Sequence, residues 1–137
     1  MPELNPRYLK DAERFLRVVM VVTLLTAGVS KLFSAGGFYE YYASLFANPD
    51  LRINLPMFLV SPFLKLTPFI EIAIAGALAV TPIRRAATVA WWIWFLNIEF
   101  GHYVLQEWSA VNEIIPYQIL GALAYVLPNH QSWFARD

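Results

Sequence analysis

Residues 91–103 form an apolar, aromatic run that contains a carboxylate, Glu99, and an imidazole, His102. At the centre of a membrane helix an ionisable side chain costs about 2.5–3.5 kcal/mol by insertion scales. Such a side chain therefore usually faces a partner, a ligand or water inside a helix bundle. The run predicts a membrane helix whose two polar residues mark a site.

The composition indicates an integral membrane protein. The chain has 137 residues, of which 58% are hydrophobic and 16% aromatic, and its mean hydropathy is +0.49. Soluble domains average about 45–50% apolar residues. The formal net charge is zero and the basic residues are dispersed, so we expect no nucleic-acid partner. The absence of cysteine excludes disulfides and thiolate metal sites.

Four apolar segments predict an all-α fold, a single membrane domain over residues 1–137 that forms a four-transmembrane-helix bundle. The spans cover about 15–33, 57–80, 85–105 and 113–127. Pro62 and Pro68 interrupt the second, which we expect to begin near Met57 as one kinked helix that ends at Thr81-Pro82, because residues 68–80 alone are too short to cross. The fourth span is short, which implies tilt or local membrane thinning.

Residues 34–55 connect the first two spans and are rich in aromatic side chains. These are Phe38, Tyr39, Tyr41, Tyr42 and Phe46. Tyrosine rings suit the boundary between lipid and water, where one end of the ring is wet. We therefore expect a short interfacial helix in this first outward loop.

The basic residues predict the orientation. Four spans place both termini on one side of the membrane, and most Lys and Arg residues fall on that side. That side carries Arg7, Lys10, Arg14, Arg17, Arg84, Arg85 and Arg136, and the other carries Lys31, Arg52 and Lys65. Cytoplasmic segments carry the excess of Lys and Arg, so both termini are predicted to be cytoplasmic.

This topology brings ionisable residues from different helices to the outer leaflet. They are Lys31, Glu71, Glu99, His102 and Glu113. On the third span Trp92, Phe95, Glu99, His102 and Gln106 follow a spacing of three or four and are predicted to share one face, with Asn97 elsewhere. A pocket lined by Lys31, Glu71, Phe95, Glu99 and His102 is the predicted binding site.

Simpler roles compete with this interpretation. Lys31 is able to extend to the interface or to pair with Glu71 or Glu99. For Glu71 the simpler role is an ion pair or a place in the N-terminal turn of a helix. For Glu113 it is a carboxylate at a helix start, where the helix dipole favours negative charge. The tryptophans at 91, 92 and 94 are predicted to face lipid near the cytoplasmic end.

Metal chemistry fits these residues less well than proton transfer. Glu99-x-x-His102 has the spacing of a di-iron ligand pair, but the second pair is missing, since the only other histidine, His130, follows the last span. The remaining metal alternative is a single ion held by Glu71, Glu99 and His102. We predict no metal site. A carboxylate beside an imidazole is suited to proton exchange, which a bound quinone requires. Glu99, His102 and Glu71 are the candidate catalytic residues.

Several motifs resemble the DoxX-like family of small four-helix membrane proteins. They are Arg14 or Arg17 at the entry of the first span, Gly28-x-x-Lys31 at its end, and Pro68-Phe69-Ile70-Glu71 with Ala75-Gly76 in the second. The resemblance covers most of residues 14–127 and places Gly28, Lys31 and Glu71 on motif positions. It implies a bacterial or archaeal inner-membrane protein that accompanies redox or detoxification systems. A branch of that family linked to thiol chemistry fits poorly, because this chain has no cysteine.

These observations lead to three functional hypotheses. The first is a subunit or accessory of a membrane redox system, whose outer pocket binds a quinone-like lipophilic molecule and relays protons. The second is a non-catalytic subunit that stabilises a larger membrane complex or a homo-oligomer. The third is a small transporter, which the lack of polar residues in its cytoplasmic half disfavours. The sequence leaves open whether the protein is an enzyme.

Overall fold

The protein is all-helical over the part of the chain that the computed structural model describes, residues 5–80 and 83–128. Its helices are α1 (Pro6–Phe33), α2 (Phe38–Phe46), α3 (Met57–Ala79), α4 (Arg84–Val104) and α5 (Trp108–Val126). The predicted all-α class is confirmed. Four residues used in the sequence analysis, Thr81, Pro82, His130 and Arg136, lie outside the described residues.

The four long helices form a closed ring of contacts. Helix α1 packs against α3, α3 against α4, α4 against α5, and α5 returns to α1. The short helix α2 packs against α3 at the end of the bundle where α1 finishes. Of the described helices, α1 and α3 are long and apolar enough to cross a membrane, a test that a signal sequence or a soluble core helix also passes.

Local sequence explains where the helices begin and end. Pro6 occupies the first turn of α1, where its missing N–H is not needed, and the Asn5 side chain accepts a hydrogen bond from Arg7 N at 3.0 Å. Gly36 and Gly37 connect α1 to α2 with φ of 88° and 76°, a region that glycine enters without steric cost. Helix α1 therefore includes the charged residues that precede the predicted span.

Helices α3 and α5 differ in how well their limits were predicted. Helix α3 begins at Met57 and carries Pro62 and Pro68 inside it, which agrees with one long helix rather than a start at Pro68. Helix α5 begins at Trp108, well before the predicted Glu113. The reason is that the polar turn is confined to the residues next to Gln106, whose φ is 61°, so the chain re-enters a helix at once.

Two apolar clusters hold the helices together. The larger joins the four long helices through Met20, Leu24, Ile74, Ala75, Leu78, Ala87, Trp91, Trp94, Phe95 and Ile114. The smaller fixes α2 against α3 and the end of α4 through Phe46, Val60, Leu64 and Val104. Together the two clusters connect all five helices.

The tryptophan prediction is wrong for two of three residues. Trp91 is 0% exposed and Trp94 5% exposed, while Trp92 is 49% exposed. Trp91 fits because Gly121 of α5 leaves room for its ring: a Cβ there would lie 2.8 Å from Trp91 Cδ1. The Trp91 indole donates to the Tyr117 carbonyl at 2.9 Å, which satisfies its buried N–H.

Candidate functional site

A cavity of about 200 Å³ lies between α2, α3 and α4, beside the last turn of α1. Its charged or basic side chains are Lys31 from α1, Glu71 from α3 and His102 from α4. Asn97 and Thr67 add an amide and a hydroxyl. Its walls are largely apolar and come from Phe38, Tyr42, Phe46, Phe63, Leu64, Ile98, Gly101 and Leu105. A few polar groups in an apolar cavity are typical of a small-molecule site.

Lys31 and Glu71 form an ion pair at the wall of the cavity. Lys31 Nζ lies 2.8 Å from Glu71 Oε1 and 2.7 Å from Oε2, so the ammonium contacts both carboxylate oxygens. The Glu71 side chain is 2% exposed and the Lys31 side chain 22% exposed. Lys31 Nζ also lies 5.4 Å from the centre of the Phe38 ring, where a cation is attracted to the aromatic face.

A close approach of α1 to α3 makes this ion pair possible. Gly28 of α1 faces α3, and a Cβ there would lie 2.7 Å from the Pro68 carbonyl oxygen and 3.2 Å from Glu71 Cβ. Lys31 follows Gly28 by one helical turn, so it lies on the same face of α1. The glycine thus sets the helix distance at which Lys31 reaches Glu71.

His102 has a partner that the sequence analysis did not include. Its Nδ1 lies 2.5 Å from Oε2 of Glu107, a residue of the turn between α4 and α5. The Tyr42 ring of α2 meets the His102 ring edge-on, with centroids 6.1 Å apart. Burial raises the pKa of the Tyr42 phenol above its usual range, and the negative charge of Glu107 raises this pKa further.

Glu99 lies away from the cavity lining. It accepts a hydrogen bond from the Gln118 amide of α5, so it joins α4 to α5. Phe95 is buried and stacks on Tyr117 of α5, with ring centroids 4.9 Å apart and planes 8° apart. Neither residue is among those that line the cavity.

The predicted common face of α4 is therefore divided. Trp92 is exposed, Phe95 and Glu99 contact α5, and His102 borders the cavity. Asn97, which was predicted to lie elsewhere, lines the cavity with His102. The reason is that residues spaced by three or four cover a broad stripe of a helix, and two different neighbours divide that stripe.

A second buried polar cluster lies at the other end of the bundle. Glu13 Oε1 lies 3.1 Å from Arg84 Nη1, and Glu13 Oε2 lies 3.6 Å from Arg17 Nη2. All three side chains are buried, at 5% exposure or less. The sequence offered a signal in Glu13-x-x-x-Arg17, the spacing of a helical ion pair, but Arg17 was interpreted only as a basic residue at the entry of the first span.

No group of three or more His, Asp or Glu side chains suited to a metal ion occurs within residues 5–80 and 83–128. Glu71, Glu99 and His102, the three residues of the metal alternative, contact Lys31, Gln118 and Glu107, respectively. Comparisons with protein-family models, with curated proteins and with solved structures find no match to this chain.

Proposed function

We propose that this protein is a small four-span membrane protein whose cavity binds a quinone-like lipophilic molecule and exchanges protons with it. The observation that carries the proposal is the Lys31–Glu71 ion pair on the wall of an aromatic cavity that His102 also lines. We propose with it that the chain is related to the DoxX-like family, that it lies in the inner membrane and that it accompanies a redox system.

The exposed surface supports the membrane location. In the apolar windows of α1 and α3 only 22% and 28% of the residues are buried, whereas a core helix of a soluble protein is mostly buried. Many large apolar side chains are exposed instead, among them Phe15, Val22, Phe58, Phe69 and Phe100. An apolar surface of this extent is stable against lipid rather than water.

The lengths of α4 and α5 are also compatible with crossing. At about 1.5 Å per residue, the 21 residues of α4 and the 19 residues of α5 extend roughly 28–32 Å, close to the hydrocarbon thickness of about 30 Å. Two of their charged residues have partners within the bundle: Arg84 contacts Glu13, and Glu99 contacts Gln118. In the proposed orientation α2 lies at the outer membrane surface.

The cavity has the size and chemistry for one ring. A cavity of about 150 Å³ is enough for benzene, and this one is about 200 Å³. The carbonyl oxygens of a quinone accept hydrogen bonds, and Lys31 and His102 are two of the side chains at the wall that can donate them. Phe63 and Phe38 provide aromatic faces on which the ring would pack.

Two residues of α4, His102 and Glu99, provide the test. We expect His102→Ala to weaken binding of a short-chain benzoquinone by roughly 2- to 10-fold, because a hydrogen bond to a neutral carbonyl contributes about 0.5–1.5 kcal/mol. Glu99→Ala should bind as the wild type does. Quenching of tryptophan fluorescence measures binding, since Trp94 packs 5.5 Å from the cavity residue Phe63.

Size-exclusion profiles and melting temperatures in detergent show whether both variants fold. Equal binding by wild type and folded His102→Ala would contradict the proposal, as would loss of binding in folded Glu99→Ala alone.

The alternative function is a non-catalytic subunit of a larger membrane complex. The observation in its favour is an apolar groove between α4 and α5, lined by Thr88, Val89, Trp92, Gly121, Ala122, Tyr125 and Val126. If this alternative holds, Trp92→Ala should reduce recovery of a defined protein partner after mild detergent extraction. Quinone binding should then be absent from the wild type.

A further inference from the structure

We propose that Glu107 connects the cavity to external water as a proton-exchange group, acting through His102. The inference rests on the proposed function and adds the route by which a bound ligand gains or loses a proton. From the sequence, Glu99, His102 and Glu71 were predicted to exchange protons. The structure places Glu107, rather than Glu99, in contact with His102.

The backbone turn after α4 determines where Glu107 lies. Gln106 adopts a φ of 61°, its N–H donates to the Tyr103 carbonyl at 3.0 Å, and the Glu107 N–H donates to the His102 carbonyl at 2.9 Å. This pair of hydrogen bonds is a Schellman motif, which ends a helix by folding the chain back over its last turn. The side chain of Glu107 consequently returns to the His102 ring.

The contact leaves one imidazole nitrogen for the ligand. His102 Nδ1 lies 2.5 Å from Glu107 Oε2, so this ring nitrogen is occupied by a hydrogen bond to the carboxylate. The Nε2 atom is then the ring nitrogen that can accept or donate a proton on the ligand side. The side chain of His102 is 18% exposed and that of Glu107 33% exposed, so Glu107 is the member of the pair that meets water.

The other charged and titratable groups around the cavity have different roles. Lys31 of α1 and Glu71 of α3 neutralise each other. Tyr42 of α2 faces the His102 ring as a neutral phenol, because burial and the Glu107 charge both raise its pKa. Within the described residues, Glu107 is the carboxylate that pairs with His102.

The transfer is an acid–base step and needs no oxidant or reductant. A hydroxyl group of the ligand gives its proton to His102 Nε2, and the proton on Nδ1 passes to the Glu107 carboxylate. Glu107 then releases a proton to water and is again a carboxylate. The ligand becomes an anion beside Lys31, and the same steps in reverse return its proton.

The experiment follows protonation of 2-hydroxy-5-methyl-1,4-benzoquinone, a one-ring quinone whose anion absorbs visible light, after a laser-induced pH jump. We expect Glu107→Gln to bind this probe within about threefold of the wild type. Protonation of the bound probe should slow by roughly 100-fold, the range of a positioned general acid. Added formate should restore the rate, because a small acid replaces the missing carboxyl group.

Two matched variants complete the design. Glu99→Gln, on the helix that carries His102 but away from the cavity lining, should retain the wild-type rate. Glu107→Asp keeps a carboxylate on a shorter side chain, and its rate should lie between those of Glu107→Gln and the wild type. A wild-type rate in folded Glu107→Gln, or in Glu107→Asp if the amide variant does not fold, would overturn the inference. Failure of the wild type to bind the probe would instead overturn the proposed function.

Discussion

The two ends of the bundle both bury an ion pair made with α1, yet they differ in the space beside it. At the cavity end, Lys31 and Glu71 border a volume of about 200 Å³. At the arginine end, defined by Glu13, Arg17 and Arg84, the adjoining volume is about 10 Å³, roughly that of one water. The two pairs are separated by about 27 Å along α1. The difference teaches that a buried charge alone does not identify a binding site.

Solvent contact separates the two ends as well. The arginine-end side chains are at most 5% exposed, whereas Lys31 is 22% exposed. Removing one partner from a fully buried pair leaves an uncompensated charge, which costs more than the same change where water is near. We therefore interpret the arginine end as a structural clasp, that is, a set of ion pairs that only stabilises the fold. We interpret the cavity end as a ligand-binding site.

The largest expected effect is the loss of stability when the ion pairs of the clasp are broken. Glu13→Gln should destabilise the protein by about 3–5 kcal/mol, because Arg17 and Arg84 then lose their buried carboxylate. Reversible unfolding in detergent measures this change. Asp11→Asn is the control: it removes an exposed carboxylate 3.7 Å from Arg14 on the same helix and should cost under about 1 kcal/mol. Equal losses in the two variants would contradict the clasp interpretation.

The second effect concerns the spacing of α1 and α3. Gly28→Ala should destabilise the protein by about 1–3 kcal/mol, because its Cβ would lie 2.7 Å from the Pro68 carbonyl oxygen and force the helices apart. It should also weaken quinone binding, since Lys31 moves away from Glu71. Gly76→Ala, whose Cβ would meet nothing within 4 Å, should keep both properties. Similar behaviour of the two alanine variants in unfolding and binding would show that this contact does not matter.

Much of the fold was predictable because apolar length and breaker residues are local signals. These signals predicted the long helices and the aromatic helix α2. They also predicted that the second span is one long helix from Met57, as α3 is. The burial of Trp91 was not predictable, because it depends on Gly121 in another helix. Spacing on α4 placed Glu99 and His102 on a common stripe. It did not reveal that Glu99 contacts α5 while His102 lines the cavity.

The turn after α4 carried a weaker signal. Glycine usually marks the left-handed position of a Schellman motif, and here Gln106 occupies it. The return of Glu107 to His102 was therefore missed. The arginine end was missed for another reason: Arg84 lies far from Glu13 in the sequence, and α1 and α4 meet there only because both pack on α3 and α5.

The smallest effect is a pH dependence at the cavity end. The pKa of Tyr42 is raised chiefly by burial and then by Glu107, so its neutral form stabilises the folded state. This contribution is present below the ordinary tyrosine pKa of about 10 and is lost as pH rises through the higher folded pKa. Glu107→Gln should lower the pKa of Tyr42 in an ultraviolet titration, with Tyr42→Phe identifying the signal. An unchanged Tyr42 titration would show that the two groups do not interact.

The most direct test of the contrast between the two ends is the position of a bound quinone. Photolabelling of the membrane-embedded wild type with an azido-benzoquinone, followed by mass spectrometry of its peptides, maps that position. We predict adducts within residues 63–71 and 97–105, which line the cavity, and their loss on competition with unlabelled quinone. Competable adducts at Glu13–Arg17 or in the groove at residues 88–92 and 121–126, with none at the cavity, would contradict the account.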